Sequence, residues 1–126
     1  MESKQFLRGY DIDGTLTTGL TPIKPFVIIS GRTFAEYNET TKKLAQDAPV
    51  YIRGSGRYGD QQHAGEFKAH MINLLGVEEF YEDDQVQIDI IRKSCTKCRI
   101  KKVKGDGSLE DVAHSNNNFT YSNMNK

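Results

Sequence analysis

The sequence predicts an α/β fold with a Rossmann-like parallel sheet of five strands and helices on both faces. Short strand-like runs alternate along the chain with stretches whose apolar residues recur at helical spacing. Strands that alternate with helices are joined by right-handed crossovers, and such crossovers produce a parallel sheet. The chain has 126 residues, which fit one domain of ordinary size.

Five short runs are predicted as strands. They cover residues 6–10, 26–29, 50–52, 79–81 and 99–103. Arg8 and Gly9 interrupt the first run, although a central parallel strand is usually apolar throughout.

Three helices are predicted between these strands, over residues 33–46, 66–75 and 86–93. Their apolar residues recur every three or four positions, as they do on the buried face of a helix. The residues predicted to face inward are Phe34, Tyr37, Thr41 and Leu44, then Phe67, Met71, Leu74 and Leu75, then Val86, Ile90 and Ile91.

The segment from residue 105 to the end is predicted as a polar tail that follows a folded domain over residues 1–104. It contains five Asn and only scattered apolar residues, a composition typical of a weakly ordered terminus. Docking of Phe119 and Tyr121 onto the sheet is the alternative.

Charge and composition exclude several classes of protein. Seventeen Lys and Arg balance seventeen Asp and Glu, which excludes a uniformly basic nucleic-acid coat. No apolar run approaches the roughly 18 residues that a membrane span needs. The first ten residues lack the apolar core of a secretory signal, and two cysteines are too few for a disulfide framework. We therefore expect a cytoplasmic protein without a membrane partner.

Two carboxylates follow the first predicted strand in the run Asp11-Ile12-Asp13-Gly14-Thr15-Leu16. Side chains two positions apart at a strand end can point into one site once the chain turns at the glycine. A calcium loop also begins with spaced acids, but it needs a bidentate Glu eleven residues after its first ligand. Pro22 stands at that position, which excludes the calcium loop.

A second acidic run, Glu82-Asp83-Asp84, follows the fourth predicted strand. The carboxyl ends of parallel strands meet at one edge of a sheet, where ligands bind. Carboxylates crowded together repel one another unless protons or a cation intervene, and Mg²⁺ prefers oxygen ligands. The two acidic runs therefore predict a magnesium site, with a solvated acidic loop as the alternative for the second run.

Two further features could bind phosphate. Ser30-Gly31-Arg32 ends the second predicted strand and offers a hydroxyl, turn amides and a guanidinium. Lys68 lies on the helix before the fourth strand. Taken alone, the first is an ordinary strand-to-helix turn with a Ser cap, and the second is a surface lysine.

Four features follow one another along the chain: the motif Asp11-x-Asp13-Gly14-Thr15, the hydroxyl of Ser30, Lys68 and the pair Asp83-Asp84. In this order and spacing they resemble the motifs of the haloacid-dehalogenase-like phosphohydrolase superfamily. The resemblance covers roughly residues 5–104. The resemblance implies a phosphatase in which Asp11 is the nucleophile and Asp13 the general acid and base. Asp84 would order Lys68 or the waters of the metal. The implied catalytic residues are Asp11, Asp13 and Lys68; the implied phosphate-binding residues are Thr15, Ser30, Gly31, Arg32 and Arg53; the implied metal ligands are Asp11, Asp13, Asp83 and Asp84.

A further likeness rests on runs that follow one another in the chain: Ser30-Gly31-Arg32, Val50-Tyr51-Ile52-Arg53, Gly59-Asp60, Phe67-Lys68 and Glu82-Asp83-Asp84-x-x-Gln87. In this order they are similar to the phosphatase domain of bacteriophage-type polynucleotide kinase/3′-phosphatase, within that superfamily. There, arginines after the second and third strands position the phosphate, here Arg32 and Arg53, with Arg57 as a rival for the second role. The Gly-rich loop of the kinase half is absent, so no kinase activity is expected. Ala64 stands where the family has an acidic residue.

The gaps between motifs leave no room for a cap domain, which would need on the order of 50 residues. An uncapped site suits a bulky phosphorylated substrate, such as a nucleotide or a nucleic-acid 3′-phosphate end. A second subunit of a homo-oligomer could also cover it. The segment 54–65 is the only stretch near the site that is long enough to act as a lid.

Seven Lys or Arg fall within residues 92–104. They could contact phosphates, or they could protect an edge strand from aggregation. A catalytically idle module that binds nucleic acid or protein through this stretch is the alternative function. Cys95 and Cys98 have the spacing of half a zinc site, but the three His are far away in sequence, so two reduced thiols are the simpler interpretation.

Overall fold

A computed structural model describes residues 6–56 and 59–114 of the chain. In these described residues six strands and three helices follow one another, with short 3₁₀ turns at Leu16–Thr18 and Phe34–Glu36. The elements are β1 (Arg8–Tyr10), β2 (Phe26–Thr33), α1 (Glu39–Ala45), β3 (Val50–Gly54), α2 (Gln61–Leu75), β4 (Glu79–Glu82), α3 (Gln85–Ser94), β5 (Arg99–Val103) and β6 (Leu109–Val112). No helix in this described part of the chain is both long enough and apolar enough to cross a membrane.

The six strands form one sheet in the order β3-β2-β1-β4-β5-β6. The first five are parallel, and β6 is antiparallel to β5. This confirms the predicted α/β fold with a mainly parallel sheet. The predicted number of strands is wrong, because the sheet has a sixth.

The sixth strand lies in the segment that composition predicts to be a weakly ordered tail. Only its last residue, Val112, is partly buried against the core. Backbone pairing with β5 holds the rest, together with ion pairs that Lys101 makes with Asp111 and Lys104 makes with Glu110. Hydrophobic patterning cannot detect such a strand. Phe119 and Tyr121 lie outside the described residues.

The core occupies both faces of the sheet. On one face α2 and α3 pack residues such as Ile72, Ile88 and Ile91 against Phe80. On the other face Ala45 of α1 packs in a cluster with residues of β1, β2 and β4. The prediction of helices on both faces is therefore confirmed.

The helix predicted over residues 33–46 is too long. Strand β2 continues to Thr33, a 3₁₀ turn follows, and α1 begins only at Glu39. Asn38 sets this start, because its side chain accepts a hydrogen bond from the backbone N–H of Thr41. Three residues predicted to face inward are exposed: Phe34, Leu74 and Val86.

Helix α2 begins at Gln61, five residues before the predicted start. The carboxylate of Asp60 accepts a hydrogen bond from the backbone N–H of His63 and so caps the helix. Residues 61–65 of the predicted lid segment are therefore helical.

The polar interruption of the first strand has a structural reason. Arg8 Nε lies 3.2 Å from Oε1 of buried Glu79 on the neighbouring strand β4. A Cβ on Gly9 would lie 2.8 Å from the ring of Phe80, so the packing of the two strands requires glycine there.

The strand order brings the ends of β1 and β4 together. The chain crosses from β1 to β2 and β3 on one side, and then returns to β4 on the other side of β1. Ligands of doubly wound sheets bind at the carboxyl ends of strands where the order reverses in this way. Asp11 follows β1 and Asp83 follows β4, so both acidic runs lie at this point.

Candidate active site

A cleft of about 190 Å³ opens at the carboxyl edge of the sheet. Four of its lining residues, Glu36, Gly59, Gln61 and Gln87, are not among the site residues predicted from the sequence, although Gly59 and Gln87 belong to the runs that carry the resemblance. The residues predicted to form the site that line it are Asp11, Asp13, Gly31, Arg32, Lys68, Asp83 and Asp84.

The ammonium group of Lys68 lies at the bottom of this cleft. The side chain is 1% exposed, and Nζ donates hydrogen bonds to Asp11 Oδ1 at 2.8 Å and to Glu82 Oε1 at 2.7 Å. Burial by itself would lower the pKa of Lys68, but the charges of the two carboxylates outweigh burial and raise it. The lysine is therefore held in its charged form against Asp11.

Glu82 belongs to the predicted acidic run but is not among the predicted site residues. It is fully buried at the end of β4, although the sequence places it in the acidic run after the strand. Glu82, rather than Asp84, is the carboxylate of that run that contacts Lys68. Asp84 instead caps α3 by accepting a hydrogen bond from the backbone N–H of Gln87, although it also lines the cleft.

Asp83 completes a cluster of three carboxylates. Oxygen atoms of Asp11, Glu82 and Asp83 lie within 4.8 Å of one another, and among the described residues this is the only group of His, Cys, Asp and Glu that converges in this way. Burial, followed by the negative charge of Asp11, raises the pKa of Asp83. The cluster therefore has the repulsion that a bound cation would relieve.

Gly14 allows the two acidic segments to approach each other. Its φ of +76° lies in the left-handed region, and a Cβ on it would lie 2.1 Å from Asp83 Oδ2. The backbone after Asp13 therefore turns directly against the Asp83 carboxylate, which only glycine permits.

Substituting Gly14 by alanine is expected to displace Asp83 and to destabilise the fold, because the new Cβ would meet the Asp83 carboxylate. Gly19 provides a matched control because its φ is +93° but nothing described lies within 4 Å of its Cβ position. Both variants carry backbone strain of about 1–3 kcal/mol, and only Gly14→Ala adds the clash. Urea unfolding should therefore show a larger loss of stability for Gly14→Ala. Equal losses of stability would contradict this assignment.

Arg32 and Asp13 form an ion pair at the mouth of the cleft. Arg32 Nε lies 3.0 Å from Asp13 Oδ2, Nη2 lies 2.6 Å from Asp13 Oδ1, and Nη1 donates to the backbone carbonyl of Glu36. The Asp13 side chain is 62% exposed and that of Arg32 is 19% exposed. Arg32 therefore contacts the residue predicted to act as general acid and base.

Of the other predicted phosphate-binding residues, Gly31 lines the cleft, whereas Thr15, Ser30 and Arg53 do not. Ser30 and Thr15 are fully buried, and neither is among the described residues that line the cleft. Ser30 Oγ accepts a hydrogen bond from the backbone N–H of Arg32, and Arg53 Nε donates to the carbonyl oxygen of Gly31. In the described part of the chain, Thr15 Oγ1 has no hydrogen-bond partner. Arg57 lies outside the described residues.

The pair of cysteines is separate from this site. Cys95 and Cys98 are free and buried, and their thiols contact the carbonyl oxygens of Ala69 and Arg99. Burial raises the pKa of Cys95 to about 11 and also raises that of Cys98. Both are therefore thiols at neutral pH.

No protein-family model, curated protein or solved structure matches this chain. The chemistry of the site therefore has to be argued from its own geometry. In that geometry the buried ammonium of Lys68 binds the Asp11 carboxylate, and Asp83 lies close enough to Asp11 for the two to share a cation. Asp13 is paired with Arg32 at the entrance.

Proposed function

We propose that the chain is a capless, haloacid-dehalogenase-like phosphomonoesterase that uses Mg²⁺ and forms an aspartyl-phosphate on Asp11. The observation that carries the proposal is the pairing of Asp11 with the buried ammonium of Lys68, beside the Asp83 carboxylate at the reversal of the strand order. Burying the charged ammonium of Lys68 costs desolvation free energy. Neutralising the charge of a bound phosphoryl group would give this buried ammonium a function.

Asp11 and Asp83 are the carboxylates best suited to hold Mg²⁺. Both oxygens of Glu82 already have partners, since Oε1 accepts from Lys68 and Oε2 from the backbone N–H of Asp84. Asp11 uses Oδ1 for Lys68, but each carboxylate oxygen has two lone pairs, so one oxygen of Asp11 could bind Mg²⁺ while the other attacks phosphorus. When bound, Mg²⁺ would offset the negative charge of the substrate phosphate.

The reaction would proceed in two steps. In the first, a carboxylate oxygen of Asp11 attacks phosphorus and the bond to the ester oxygen breaks, while Asp13 gives that oxygen a proton. In the second, a water oxygen attacks the phosphorus of the aspartyl-phosphate while Asp13 accepts the proton. The bond between phosphorus and the Asp11 oxygen breaks, which frees inorganic phosphate and restores the Asp11 carboxylate. Lys68 would neutralise charge on the carboxylate and phosphoryl group throughout.

Arg32 would couple substrate binding to the release of Asp13. Its guanidinium is engaged by the Asp13 carboxylate in this structure, and a phosphate dianion carries the oxygens to compete for the same donors. A substrate phosphate bound by Arg32 would therefore release the Asp13 carboxylate, which could then take up a proton from solvent and pass it to the leaving ester oxygen.

The substrate class follows from the open site and from the resemblance to polynucleotide 3′-phosphatases. The test is a panel of an aryl phosphate, mononucleotides, and oligonucleotides phosphorylated at the 3′ or 5′ end, scored by phosphate release with Mg²⁺. We expect release from the aryl phosphate and the highest kcat/KM on a nucleotide or a 3′-phosphate end. No release from any member would contradict the proposed activity and favour an idle binding module.

Removing the metal is expected to stop turnover. Chelation should abolish phosphate release and added Mg²⁺ should restore it, because two carboxylates and a phosphate cannot converge without a cation. Asp83→Asn should raise the Mg²⁺ concentration needed for half-maximal rate at least tenfold. Asp89→Asn, an acid on α3 that binds Gln85 and Arg92, is the control and should leave this concentration unchanged. Full activity in chelator would contradict the proposal.

A further inference from the structure

Two of the residues that line the catalytic cleft are uncharged carboxamides with no role in the proposed reaction. Gln61 lies in the first turn of α2 and Gln87 in the first turn of α3. The charged residues of the lining bind phosphate, metal or proton in the proposed reaction. We call Gln61 and Gln87 the carboxamide pair, because their side chains contact each other.

The contact between the two carboxamides joins α2 to α3. Gln87 Nε2 donates a hydrogen bond to Gln61 Oε1, and the backbone N–H of Gln87 donates to Asp84 Oδ2. A Cβ on Gly65 of α2 would lie 3.1 Å from the Cα of Gln87, so the two helices touch at this point. Close packing and the two hydrogen bonds therefore fix the position of the Gln87 side chain.

The carbonyl oxygen of Gln87 lacks a hydrogen-bond partner among the described residues. The residue is 6% exposed, and Oε1 is fully buried. Buried polar atoms nearly always have a partner, because an acceptor removed from water and left unpaired raises the free energy of the fold. Exchanging the oxygen and nitrogen of this amide would bury an NH₂ group without an acceptor and set two carbonyl oxygens against each other. The position of Gln87 in the lining of the cleft therefore points to a ligand as the missing partner.

Gln61 adds a hydrogen-bond donor to the same wall. Gln87 binds its Oε1, and its NH₂ group has no partner in the described part of the chain. Gln61 precedes Lys68 by seven residues, so both lie on one face of α2, about 10 Å apart along its axis. Lys68 lies at the bottom of the cleft, so the alcohol part of an ester whose phosphate reaches Lys68 would pass the carboxamide pair.

A hydroxyl group is the partner that fits this pair. It donates one hydrogen bond, which the Gln87 oxygen can accept, and it accepts hydrogen bonds, which the Gln61 NH₂ group can donate. The oxygens of a phosphate dianion only accept, so they do not suit the Gln87 oxygen. The cleft of about 190 Å³ is smaller than the roughly 300–1,000 Å³ of pockets that enclose a whole small ligand. It therefore encloses only the atoms next to the phosphate.

We propose that the carboxamide pair binds a hydroxyl group on the carbon next to the ester carbon, so that the preferred substrates are monophosphates of vicinal diols. This proposal rests on the proposed phosphatase activity and assigns a specificity to its site. Gln87 would accept a hydrogen bond from the substrate hydroxyl, and Gln61 would donate one to it. An ester without this hydroxyl would leave the buried oxygen of Gln87 unpaired, and sites built in this way discriminate strongly against such analogues.

The test compares three small esters that differ at one position: 2-hydroxyethyl phosphate, 2-methoxyethyl phosphate and ethyl phosphate. With Mg²⁺, kcat/KM for the hydroxyethyl ester should exceed that for each of the others roughly tenfold or more, because a methoxy oxygen cannot donate a hydrogen bond. Gln87→Leu should remove most of this preference. Gln85→Leu is the matched control and should keep it, since Gln85 lies on the same helix but binds Asp89 and Lys102 outside the cleft.

Binding is measured separately from turnover on the Asp11→Asn background. Isothermal titration calorimetry with Mg²⁺ should show that the hydroxyethyl ester binds more tightly than the ethyl ester, and that Gln87→Leu removes the difference. Thermal unfolding should show no loss of stability for Gln87→Leu, because this substitution removes an unpaired buried acceptor. Gln61→Leu is a second variant, on an exposed residue, and should lower the hydroxyl preference several-fold without loss of the fold.

The outcomes separate this specificity from the phosphatase activity. Equal kcat/KM for the hydroxyethyl and ethyl esters, or the same preference in Gln87→Leu as in Gln85→Leu, would overturn the hydroxyl site while the phosphatase stands. A preference in binding that Gln87→Leu removes, without phosphate release from any ester, would support the hydroxyl site and overturn the phosphatase.

Discussion

Asp11→Asn is expected to reduce phosphate release to background while leaving the fold intact. Asparagine has the shape of aspartate and its carbonyl oxygen can still accept a hydrogen bond from Lys68, but it cannot form an aspartyl-phosphate. The measurement is phosphate release with Mg²⁺, alongside thermal unfolding and circular dichroism of both proteins.

Asp13→Asn is the matched comparison in the same loop. Loss of a general acid and base typically lowers the rate about 10²–10⁴-fold. The loss of rate should be smaller for an aryl phosphate, because its leaving oxygen needs little protonation. Asp11→Asn should show no such dependence on the leaving group. Near-normal turnover by Asp11→Asn would exclude covalent catalysis at this residue.

Lys68→Met is expected to abolish activity and to destabilise the fold strongly. The substitution keeps the volume of the buried chain but leaves the carboxylates of Asp11 and Glu82 without their cation. Removing one partner of a buried ion pair usually costs about 3–5 kcal/mol, so urea unfolding should show a loss of that size. Added Mg²⁺ should recover part of the loss, because the cation offsets the same negative charge.

Lys42→Met is the control for this prediction. Lys42 pairs with Glu39 on the surface of α1, and both side chains are more than half exposed. Such pairs contribute about 0–1 kcal/mol, so this variant should unfold close to the unmodified protein and keep its activity. A Lys68→Met protein as stable as Lys42→Met would show that the buried lysine does not hold the carboxylates together.

The convergence of the main site residues could be predicted because it depends on topology. Parallel strands end at one edge of a sheet, so acids that follow the first and fourth strands must be neighbours if those strands pair. The structure pairs β1 with β4 and brings Asp11 close to Asp83. Lys68 could be placed on its helix, but its burial depends on packing between α2 and the sheet.

Glu82 could not be predicted because its role depends on one tertiary contact. A glutamate at the end of a strand is ordinarily the first residue of an exposed turn. Here it is buried because Lys68 reaches it from α2. Nothing in the sequence distinguishes Glu82 from Asp83 and Asp84, which follow it in the same acidic run.

Local capping accounts for the error in the first helix. Phe34 and Tyr37 match helical spacing, but Asn38 fixes a later start, and Glu36 accepts a hydrogen bond from the backbone N–H of Thr33 to close a separate turn. Strand β6 was missed for a different reason. It is held by backbone pairing and exposed ion pairs, which leave no apolar periodicity in the sequence.

The central claim is that Asp11 and Asp83 share one divalent cation. Crystals grown with Mn²⁺ in place of Mg²⁺, with data collected at the manganese edge, test it directly. We expect an anomalous peak in the catalytic cleft that lies at bonding distance, roughly 2.2 Å, from one oxygen of each aspartate. A peak bound to only one of them, or no peak in the cleft at saturating Mn²⁺, would contradict the account.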